Sequence, residues 1–476
     1  MSTLPRKAGS ISDAALPPQT ARRAGSLRYA WFVVAILTLV YVLSFIDRQI
    51  FALLVIPLRR DLGMSDTQIS LLMGFSFAVF YTFFGIPIGR LADTHSRRAI
   101  IATGLVLWSG FTTGCGFARS FPQMFALRTG VGVGEAALSP AAYSLITDYF
   151  PRERLATAIS VYSMGIYLGS GLAYMLGGLV VSYASARAAW DLPLVGSIRS
   201  WQLIFLIVGL PGVLLALLLA AIREPPRTPG VHARSATPLR EVVSYILQNR
   251  RTFFLHNVGF GLLALSSYGA GAWIPEYFRR HFHWTVQRTG LVYGLIVAVF
   301  GCLGIASAGR MADFIRSRGR PNANLLVGAC VAGLTIPVSL FLSLSPSPAW
   351  ATAFLIPAAF LAAAPFGIAA ACIQQMMPPT MRAQASALYL FIINLVGLGL
   401  GPTAVAASTQ YIFRRDDSVH FSLALVTCIS CVLAAGLLYA CLNPFLGSLE
   451  ELHRWHAART QPCNATPRIP VSSASS

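Results

Sequence analysis

Twelve stretches of apolar residues recur along the chain, and short polar or charged segments separate them. Each stretch reaches about 20 residues, the length that an α-helix needs to cross roughly 30 Å of hydrocarbon. Polar and apolar residues do not alternate in runs such as LIFLIVGLPGVLLALLLAAI, which excludes the strands of a membrane barrel. The pattern predicts an all-α membrane protein with spanning helices at approximately residues 29–56, 67–90, 99–118, 121–149, 155–182, 200–222, 252–277, 286–309, 322–344, 349–376, 383–409 and 420–443.

The composition strengthens this prediction. Of the 476 residues, 55% are hydrophobic and only 11% are charged, and the mean hydropathy is +0.64. A soluble protein with this balance could not cover its apolar surface with polar side chains. We therefore expect the lipid bilayer to surround most of the chain. We expect no cleaved signal peptide, because residues 1–27 lack an apolar core.

The formal net charge of +19 is a basic excess of the kind that nucleic-acid-binding proteins carry. Its placement favours another explanation, because the basic residues concentrate in both tails and in alternate connections between the helices. Connections rich in Lys and Arg stay on the cytoplasmic side of a membrane. The distribution predicts cytoplasmic termini and no nucleic-acid partner. The scarcity of Lys beside abundant Arg, Ala and Gly favours a bacterial protein, and hence the inner membrane.

The sequence gives no sign of a disulfide framework, a metal site or a catalytic residue pair. Seven of the eight cysteines lie inside apolar runs, which is not the pattern of a disulfide framework. The pair in CISC at 428–431 has no further Cys or His nearby in the sequence to complete a metal site. We expect no metal and no cofactor. The sequence also offers no nucleophile and base pair, which argues against an enzyme.

Two sequence echoes indicate an internal duplication. GRLADTHSRR at 89–98 returns as GRMADFIRSRGR at 309–320, and PRERLATAI at 151–159 resembles PPTMRAQASAL at 378–388. The duplication predicts two pseudo-symmetric six-helix halves, joined by a Pro-rich basic linker with one short surface helix around LREVVSYIL. The predicted divisions are a disordered cytoplasmic tail at 1–27, the first half at 28–222, the linker at 223–251, the second half at 252–445 and a second disordered tail at 446–476.

This organisation resembles the major facilitator superfamily of secondary transporters. The signature loop after the second helix of that superfamily is matched here by Gly89, Asp93, Arg97 and Arg98, although two other positions depart from it. Within the superfamily, SFIDRQIFALLV, RTGVGVGEAALSPAAYSLITDYFPRERLATAIS and QQMMPPTMRAQASAL are similar to the Spinster-like family. The resemblance implies alternating-access transport linked to protons. In the animal branch it implies lysophospholipids or sphingosine 1-phosphate as substrates.

The resemblance also implies a cytoplasmic gate. Side chains of the repeated loops and of the neighbouring helix ends would hold the halves together when the cavity opens outward. A topology signal explains the arginines equally well, but it does not explain an aspartate at the same place in both halves. The expected gate residues are Gly89, Asp93, Arg97, Arg98, Asp148, Arg154, Gly309 and Asp313.

Four charges lie well inside the predicted helices, with Asp47 and Arg48 in the first and Arg128 and Glu135 in the fourth. A charge at the bilayer centre costs roughly 2.5–3.5 kcal/mol, so these side chains should face the bundle interior and mark function. Arg128 and Glu135 are seven residues apart, which is about 10 Å along one helix face. The resemblance implies that both helices line a central cavity. The residues expected to join the charges there are Tyr41, Ser44 and Ser139.

We expect Asp47 and Glu135 to carry protons, and Arg48 and Arg128 to act as charge-switch or substrate-binding partners. Burial favours the neutral form of a carboxyl and a nearby arginine favours its charged form, so its neighbours can tip such a group between the two. Protonation would then free an arginine to hold an anionic substrate group. The alternative is a closed ion cluster that only locks the helices together. That alternative gives no reason for all four charges to lie in one half.

The second half shows no charge well inside its predicted helices, and its candidate cavity residues are aromatic or amide side chains. Facing a charged first half, they predict a cavity that is polar on one wall and apolar on the other. Such a cavity suits an amphipathic anion. The residues are Tyr268, Trp273, Phe366, Gln374, Tyr389 and Asn394.

The sequence therefore predicts a proton-coupled secondary active transporter for a lipid-like or other small amphipathic substrate, working as a monomer. A facilitator for small organic anions is one alternative, because an Asp-Arg pair in the first helix also occurs in that group. A multidrug exporter is another, since the fifth helix is rich in glycine. A non-transporting sensor would need a soluble signalling domain, and neither tail is long or patterned enough to form one.

Overall fold

The computed structural model describes residues 27–150, 152–184, 186–187, 189–192, 196–225, 238–378 and 381–460. Most of them are helical, because a lipid-facing backbone must satisfy its own hydrogen bonds. Residues 1–26 and 461–476 of the predicted tails, and 226–237 of the predicted linker, lie outside the described residues.

The described residues of the first half form nine α-helices, a short 3₁₀ turn, a π-helical turn and a two-stranded hairpin. The α-helices are α1 (Leu27–Gln49), α2 (Val55–Leu62), α3 (Asp66–Ser70), α4 (Ser76–Thr94), α5 (Arg97–Cys115), α6 (Phe121–Glu135), α7 (Leu138–Tyr149), α8 (Arg152–Ala184) and α9 (Ser200–Ala220). The 3₁₀ turn is Ile50–Leu53, the π-helical turn is Leu71–Phe75, and the antiparallel strands are β1 (Ala189–Leu192) and β2 (Gly196–Arg199).

In the linker and the second half, the part of the chain that the structure describes forms ten more α-helices, three π-helical segments and a 3₁₀ turn. The α-helices are α10 (Leu239–Gln248), α11 (Arg250–His281), α12 (Val286–Ile296), α13 (Cys302–Ser317), α14 (Ala323–Ser343), α15 (Pro348–Ala363), α16 (Pro365–Met376), α17 (Arg382–Ile392), α18 (Gly401–Ala407) and α19 (Val419–Thr460). The π-helical segments are Val297–Gly301, Ile393–Leu400 and Ser408–Phe413, and the 3₁₀ turn is Asp416–Ser418.

Nine helical stretches among the described residues are long and apolar enough to cross a membrane. The other three predicted spans form α5, α6 with α7, and α11, which are helical but carry more polar residues. For these three the crossing stays a prediction. Several spans are also interrupted. The π-helical turns divide three of them, and Pro365 begins a new helix because it cannot donate to the preceding turn.

Each half packs mainly on itself. In the first half α1 lies against α8 and α5 lies against α9, while in the second half α11 and α14 both pack on α19. Two seams join the halves: α8 meets α12, and α4 with its π turn meets Ile393–Leu400. The seams are close, since a Cβ on Gly74 would lie 2.1 Å from the carbonyl oxygen of Leu398. One on Gly290 would lie 2.3 Å from that of Tyr174, so only glycine fits at either position.

We name the two ends of the bundle by the elements found there. The terminal face carries the start of α1, the ends of α4 and α7, and α10. The distal face carries α2, the hairpin and the 3₁₀ turn Asp416–Ser418. Helix α10 forms where a short linker helix was predicted, and the Tyr245 hydroxyl donates to the Met376 carbonyl at 2.9 Å.

The predicted disorder of residues 446–476 is wrong for its first part. Helix α19 continues to Thr460, because its side chains still have apolar partners beyond the predicted membrane span. Leu452 is buried, and Leu449 and Trp455 pack against the core of the second half.

Candidate functional site

A cavity of about 950 Å³ lies between the halves. At one end it reaches Gly89 near the end of α4 and Gln384 in the first turn of α17, so it opens toward the terminal face. At the other end the Tyr174 hydroxyl lies 2.8 Å from both the side-chain oxygen of Gln49 and the carbonyl of Gly271. These contacts join the two halves below the cavity.

An ion pair stands at the first-half wall of the cavity. Arg48 of α1 lines the cavity, and Glu135, at the end of α6, is fully buried behind it. The guanidinium Nε and Nη2 lie 2.7 and 2.6 Å from Glu135 Oε2, and the Ser44 hydroxyl donates to the same oxygen at 2.5 Å. The guanidinium also lies 4.5 Å from the ring centre of Phe77 and 5.0 Å from that of Tyr81. Arg48 is thus held at the cavity wall, and the buried carboxylate of Glu135 neutralises its charge.

Asp47 precedes Arg48 in α1 and projects about 100° away from it around the helix axis. It is buried, and among the described residues neither of its carboxylate oxygens has a hydrogen-bond partner. Arg128 is also buried, donates to the Leu72 carbonyl at 3.3 Å and lies over the ring of Phe51. Of the four predicted charges, Arg48 lines the cavity and the other three are buried.

The remaining first-half candidates are Tyr41, Ser44 and Ser139, and two of them line the cavity. Tyr41 and Ser139 line the cavity, and Tyr41 stacks on Tyr162 with ring centres 4.7 Å apart. Ser44 is buried and reaches the cavity only through its bond to Glu135.

Of the six second-half candidates, Tyr268, Phe366 and Asn394 line the cavity. The rings of Tyr268 and Phe366 meet edge to face at 5.8 Å. Tyr389 lines the cavity as well.

The other two second-half candidates lie elsewhere. Trp273 is fully buried at the seam between the halves, where its indole N–H lies 3.2 Å from the Ser70 hydroxyl and 3.0 Å from the Pro402 carbonyl. Gln374 is exposed outside the cavity lining and donates to Ser386 at 2.8 Å. The helical spacing of these residues was compatible with the cavity, but the rotation of their helices turns both side chains away from it.

The predicted gate arginines bond within the first half in this conformation. Arg97 contacts Asp148, donates to Glu224 at 2.9 Å and reaches the Ser144 hydroxyl at 3.0 Å. Arg98 donates to the Ile222 carbonyl at 2.8 Å. These bonds tie the ends of α5, α7 and α9 together at the terminal face.

Among the other gate candidates, the side chains of Asp93 and Arg154 lie outside the described residues. Asp313 is exposed and pairs with Arg316 of its own helix at 3.1 Å. Gly89 lines the cavity, while Gly309 has open space around it.

Glu224 is part of this terminal-face network, although no sequence pattern marks it as a candidate. Partial burial disfavours its charged form, but hydrogen bonds from the backbone of Arg98 and from Arg97 and Ser96 outweigh this effect. The pKa of the Glu224 carboxyl is therefore lower than usual.

The distal face carries a second charged cluster. Arg280, at the end of α11, makes two bonds to the carboxylate of Asp66 in the first half, at 2.7 and 3.1 Å. It also donates to Glu276, one turn earlier in its own helix, at 3.0 Å. Arg59 of the first half lies 2.9 Å from Asp416 of the second half. Ion pairs thus close the distal face, while the cavity opens toward the terminal face.

Sequence reasoning missed the buried members of this cluster. Glu276 is fully buried, and Asp66 and Arg280 are nearly so. They stand at the ends of apolar runs, where a charge usually meets water. A signal was available in the spacing of Glu276 from Arg279 and Arg280, which allows ion pairs along one helix.

Comparisons with known proteins agree with this architecture. The family model of the Major Facilitator Superfamily matches residues 37–402. The chain belongs to this superfamily of membrane transporters and, within it, is Spinster-like. The predicted fold class is thereby confirmed, and the protein is a transporter and not an enzyme.

The individual relatives match over most of the chain. An MFS-type efflux pump of Mycolicibacterium smegmatis is 28% identical over 400 residues, which cover 83% of this chain and 88% of the relative. The sphingosine-1-phosphate transporter SPNS2 of Mus musculus is 26% identical over 432 residues, or 85% and 75% of the two chains. The crystal structure of a bacterial homologue of the human lysosomal transporter Spinster, inward-facing and unoccupied, is 28% identical with a TM-score of 0.73. The match covers 90% of this chain and 99% of that one.

Proposed function

We propose that this protein couples proton movement to the transport of an amphipathic anion by alternating access. The observation that carries the proposal is the pair of Arg48 and Glu135. The arginine faces the cavity while its neutralising carboxylate is buried behind it. A substrate anion and Glu135 therefore compete for the same guanidinium.

Protonation decides that competition. When Glu135 is ionised, its carboxylate neutralises Arg48 and makes three short contacts, two with Arg48 and one with Ser44. A proton on Glu135 removes the charge and leaves Arg48 with an unbalanced positive charge at the cavity wall. An anionic head group then becomes the favourable partner. Asp47 and Arg128 provide a second proton site and charge switch, since Asp47 is buried without a hydrogen-bond partner among the described residues.

The shape of the cavity favours a substrate with a charged head and an apolar body. Among the described residues that line the cavity, Arg48 alone is charged, and both halves add apolar side chains such as Phe77 and Phe366 beside hydroxyl and amide groups. The name of the SPNS2 relative, a sphingosine-1-phosphate transporter, describes a substrate of this kind. The name of the efflux-pump relative supports export of hydrophobic compounds as a second candidate.

We further propose that the terminal face is cytoplasmic in a bacterial inner membrane. The basic residues of the predicted cytoplasmic connections, such as Arg97, Arg250, Arg251 and Arg318, lie at that face. With this orientation the cavity is open to the cytoplasm. The matching Spinster homologue is likewise described as inward-facing.

Thermal unfolding of the purified full chain tests the substrate class. The ligands are a long-chain lipid phosphate, the same chain as an uncharged alcohol, a short-chain phosphate, a small carboxylate and a hydrophobic cation. At about 100 times its dissociation constant a ligand adds roughly 2.7 kcal/mol to the free energy of unfolding. We expect stabilisation by the long-chain phosphate alone, and more of it at mildly acidic pH. Stabilisation by carboxylates or by cations instead would support the small-anion facilitator or the exporter.

Arg48→Gln provides the matched control for that experiment. It removes the charge at the cavity wall and leaves the apolar wall intact. The long-chain phosphate should then stabilise the protein no more than the uncharged alcohol does. If the phosphate keeps its full effect in this variant, Arg48 does not bind the head group.

A further inference from the structure

Two charged residues of the distal face, Arg280 and Asp66, each have one ion-pair partner in the other half and one in their own half. Arg280 contacts Asp66 across the boundary between the halves and Glu276 within its own helix. Asp66 has an equivalent choice, because Arg59 of its own half lies 3.4 Å away. Arg280 and Asp66 therefore each have a second partner in their own half, which stays with them when the halves separate.

The charges also balance within each half. The first half contributes one cation and one anion, Arg59 and Asp66. The second half contributes two cations, Arg279 and Arg280, and two anions, Glu276 and Asp416. Separation of the halves therefore leaves no net charge on either side. A buried arginine whose only partner departed would be left uncompensated, which is strongly unfavourable.

We propose that this cluster is an exchange latch, in which Arg280 binds Asp66 when the distal face is closed, releases it when the face opens, and keeps Glu276 in both states. In the closed state Arg280 bridges both carboxylates. On opening it releases Asp66, which keeps Arg59, and remains paired with Glu276. Glu276 is the positioning residue of the latch, because it keeps Arg280 neutralised in both states.

The exchange predicts opposite effects for two similar substitutions. Asp66→Asn removes the bond that exists only in the closed state, so the distal face should open more often. Glu276→Gln removes the partner that Arg280 keeps on opening, so Arg280 should hold Asp66 more tightly and the distal face should open less often. A cluster that only stabilised the fold would respond to both losses in the same direction.

Amide hydrogen exchange of the full chain in lipid nanodiscs measures this opening, since exchange of protected amides follows the population of open states. The segments to follow are α3 and the last turns of α11. We expect exchange there to become roughly tenfold faster or more in Asp66→Asn, and slower than wild type in Glu276→Gln. Asp417→Asn is the matched control, because Asp417 is on the same face but pairs with Arg415 of its own half. It should leave exchange in both segments unchanged.

Two results would overturn the proposal: a change in the same direction in both variants, or no change in either. If Glu276→Gln does not fold, Arg280→Lys gives an independent test. A lysine keeps the charge but lacks the planar fork that spans two carboxylates. Exchange should then accelerate as in Asp66→Asn, and unchanged or slower exchange would count against the latch. None of these outcomes depends on the identity of the substrate.

Discussion

Replacing Glu135 by Gln tests the proposed competition at the cavity wall most directly. The substitution keeps the size of the side chain and one carbonyl acceptor for Arg48 and Ser44, but it removes the charge permanently. Glutamine therefore imitates the protonated acid. The variant should bind an anionic substrate at neutral pH as tightly as the wild type does at acidic pH.

The size of the effect follows from the contacts that the substrate no longer has to displace. Arg48 makes two short bonds to Glu135, at 2.7 and 2.6 Å, and hydrogen bonds to charged groups contribute about 1.5–3 kcal/mol each. Arg48 is partly open to the cavity and one acceptor remains in Gln, so we count only one such bond. A difference of about 1.5–3 kcal/mol corresponds to roughly 10- to 100-fold tighter binding at neutral pH.

The assay is equilibrium binding of the long-chain lipid phosphate to the purified variant and wild type over a range of pH. Ser44→Ala is the control, because it removes one bond to Glu135 without changing its charge. It should leave the pH dependence of binding in place. Weaker binding by Glu135→Gln, or a pH dependence equal to that of the wild type, would refute the competition between carboxylate and substrate.

Three further predictions follow from other parts of the molecule. In proteoliposomes, Asp47→Asn should abolish the accumulation of substrate that a pH gradient drives. Exchange of internal for external substrate should continue, because exchange does not require the carrier to release a proton. Gly74→Ala should lower the free energy of unfolding by about 1–3 kcal/mol, since its Cβ would lie 2.1 Å from the Leu398 carbonyl oxygen. Glu224→Gln should destabilise the protein at neutral pH, and its difference from wild type should vanish in acid. The pKa of Glu224 is below its ordinary value of 4.5, so its stabilising effect is present above that value and is lost as the pH falls through the lowered one.

Each of these predictions has a result that would contradict it. Unchanged gradient-driven accumulation in Asp47→Asn would remove this residue from the coupling scheme. Gly333→Ala serves as control for the seam glycine, because a Cβ there meets nothing within 4 Å. Equal thermal stability of the two glycine variants would show that the backbones at Gly74 and Leu398 can move apart at little cost in free energy. For Glu224, a stability difference from wild type that persists at low pH would mean that its charge is not the source of its contribution.

The sequence was sufficient to predict the membrane fold and the charged layer of the first half. Both depend on local patterns, namely runs of apolar residues and the cost of placing a charge within them. The partners of those charges depend on helix rotation, which a linear pattern does not fix. Arg48 pairs with Glu135, whereas the carboxylate of its neighbour Asp47 has no hydrogen-bond partner among the described residues.

The errors had the same origin. Trp273 was expected at the cavity but lies at the seam with its N–H bonded across the halves. Glu276, near the end of its predicted helix, was not predicted as a site residue, although it is fully buried and pairs with Arg279 and Arg280. Burial at a helix end depends on contacts between halves that are far apart in sequence.

The balance of the four first-half charges has an electrical consequence. With both acids ionised, Asp47, Arg48, Arg128 and Glu135 sum to zero, so the membrane voltage does no work on this group when the empty carrier reorients. Moving one elementary charge across 100 mV is worth about 2.3 kcal/mol, and a single bound proton exposes the carrier to that force. A monovalent anion bound to Arg48 cancels the charge of that proton, so the voltage again does no work on the group. A proton and a monoanion moving together would therefore cross without net current, driven by their concentration gradients alone.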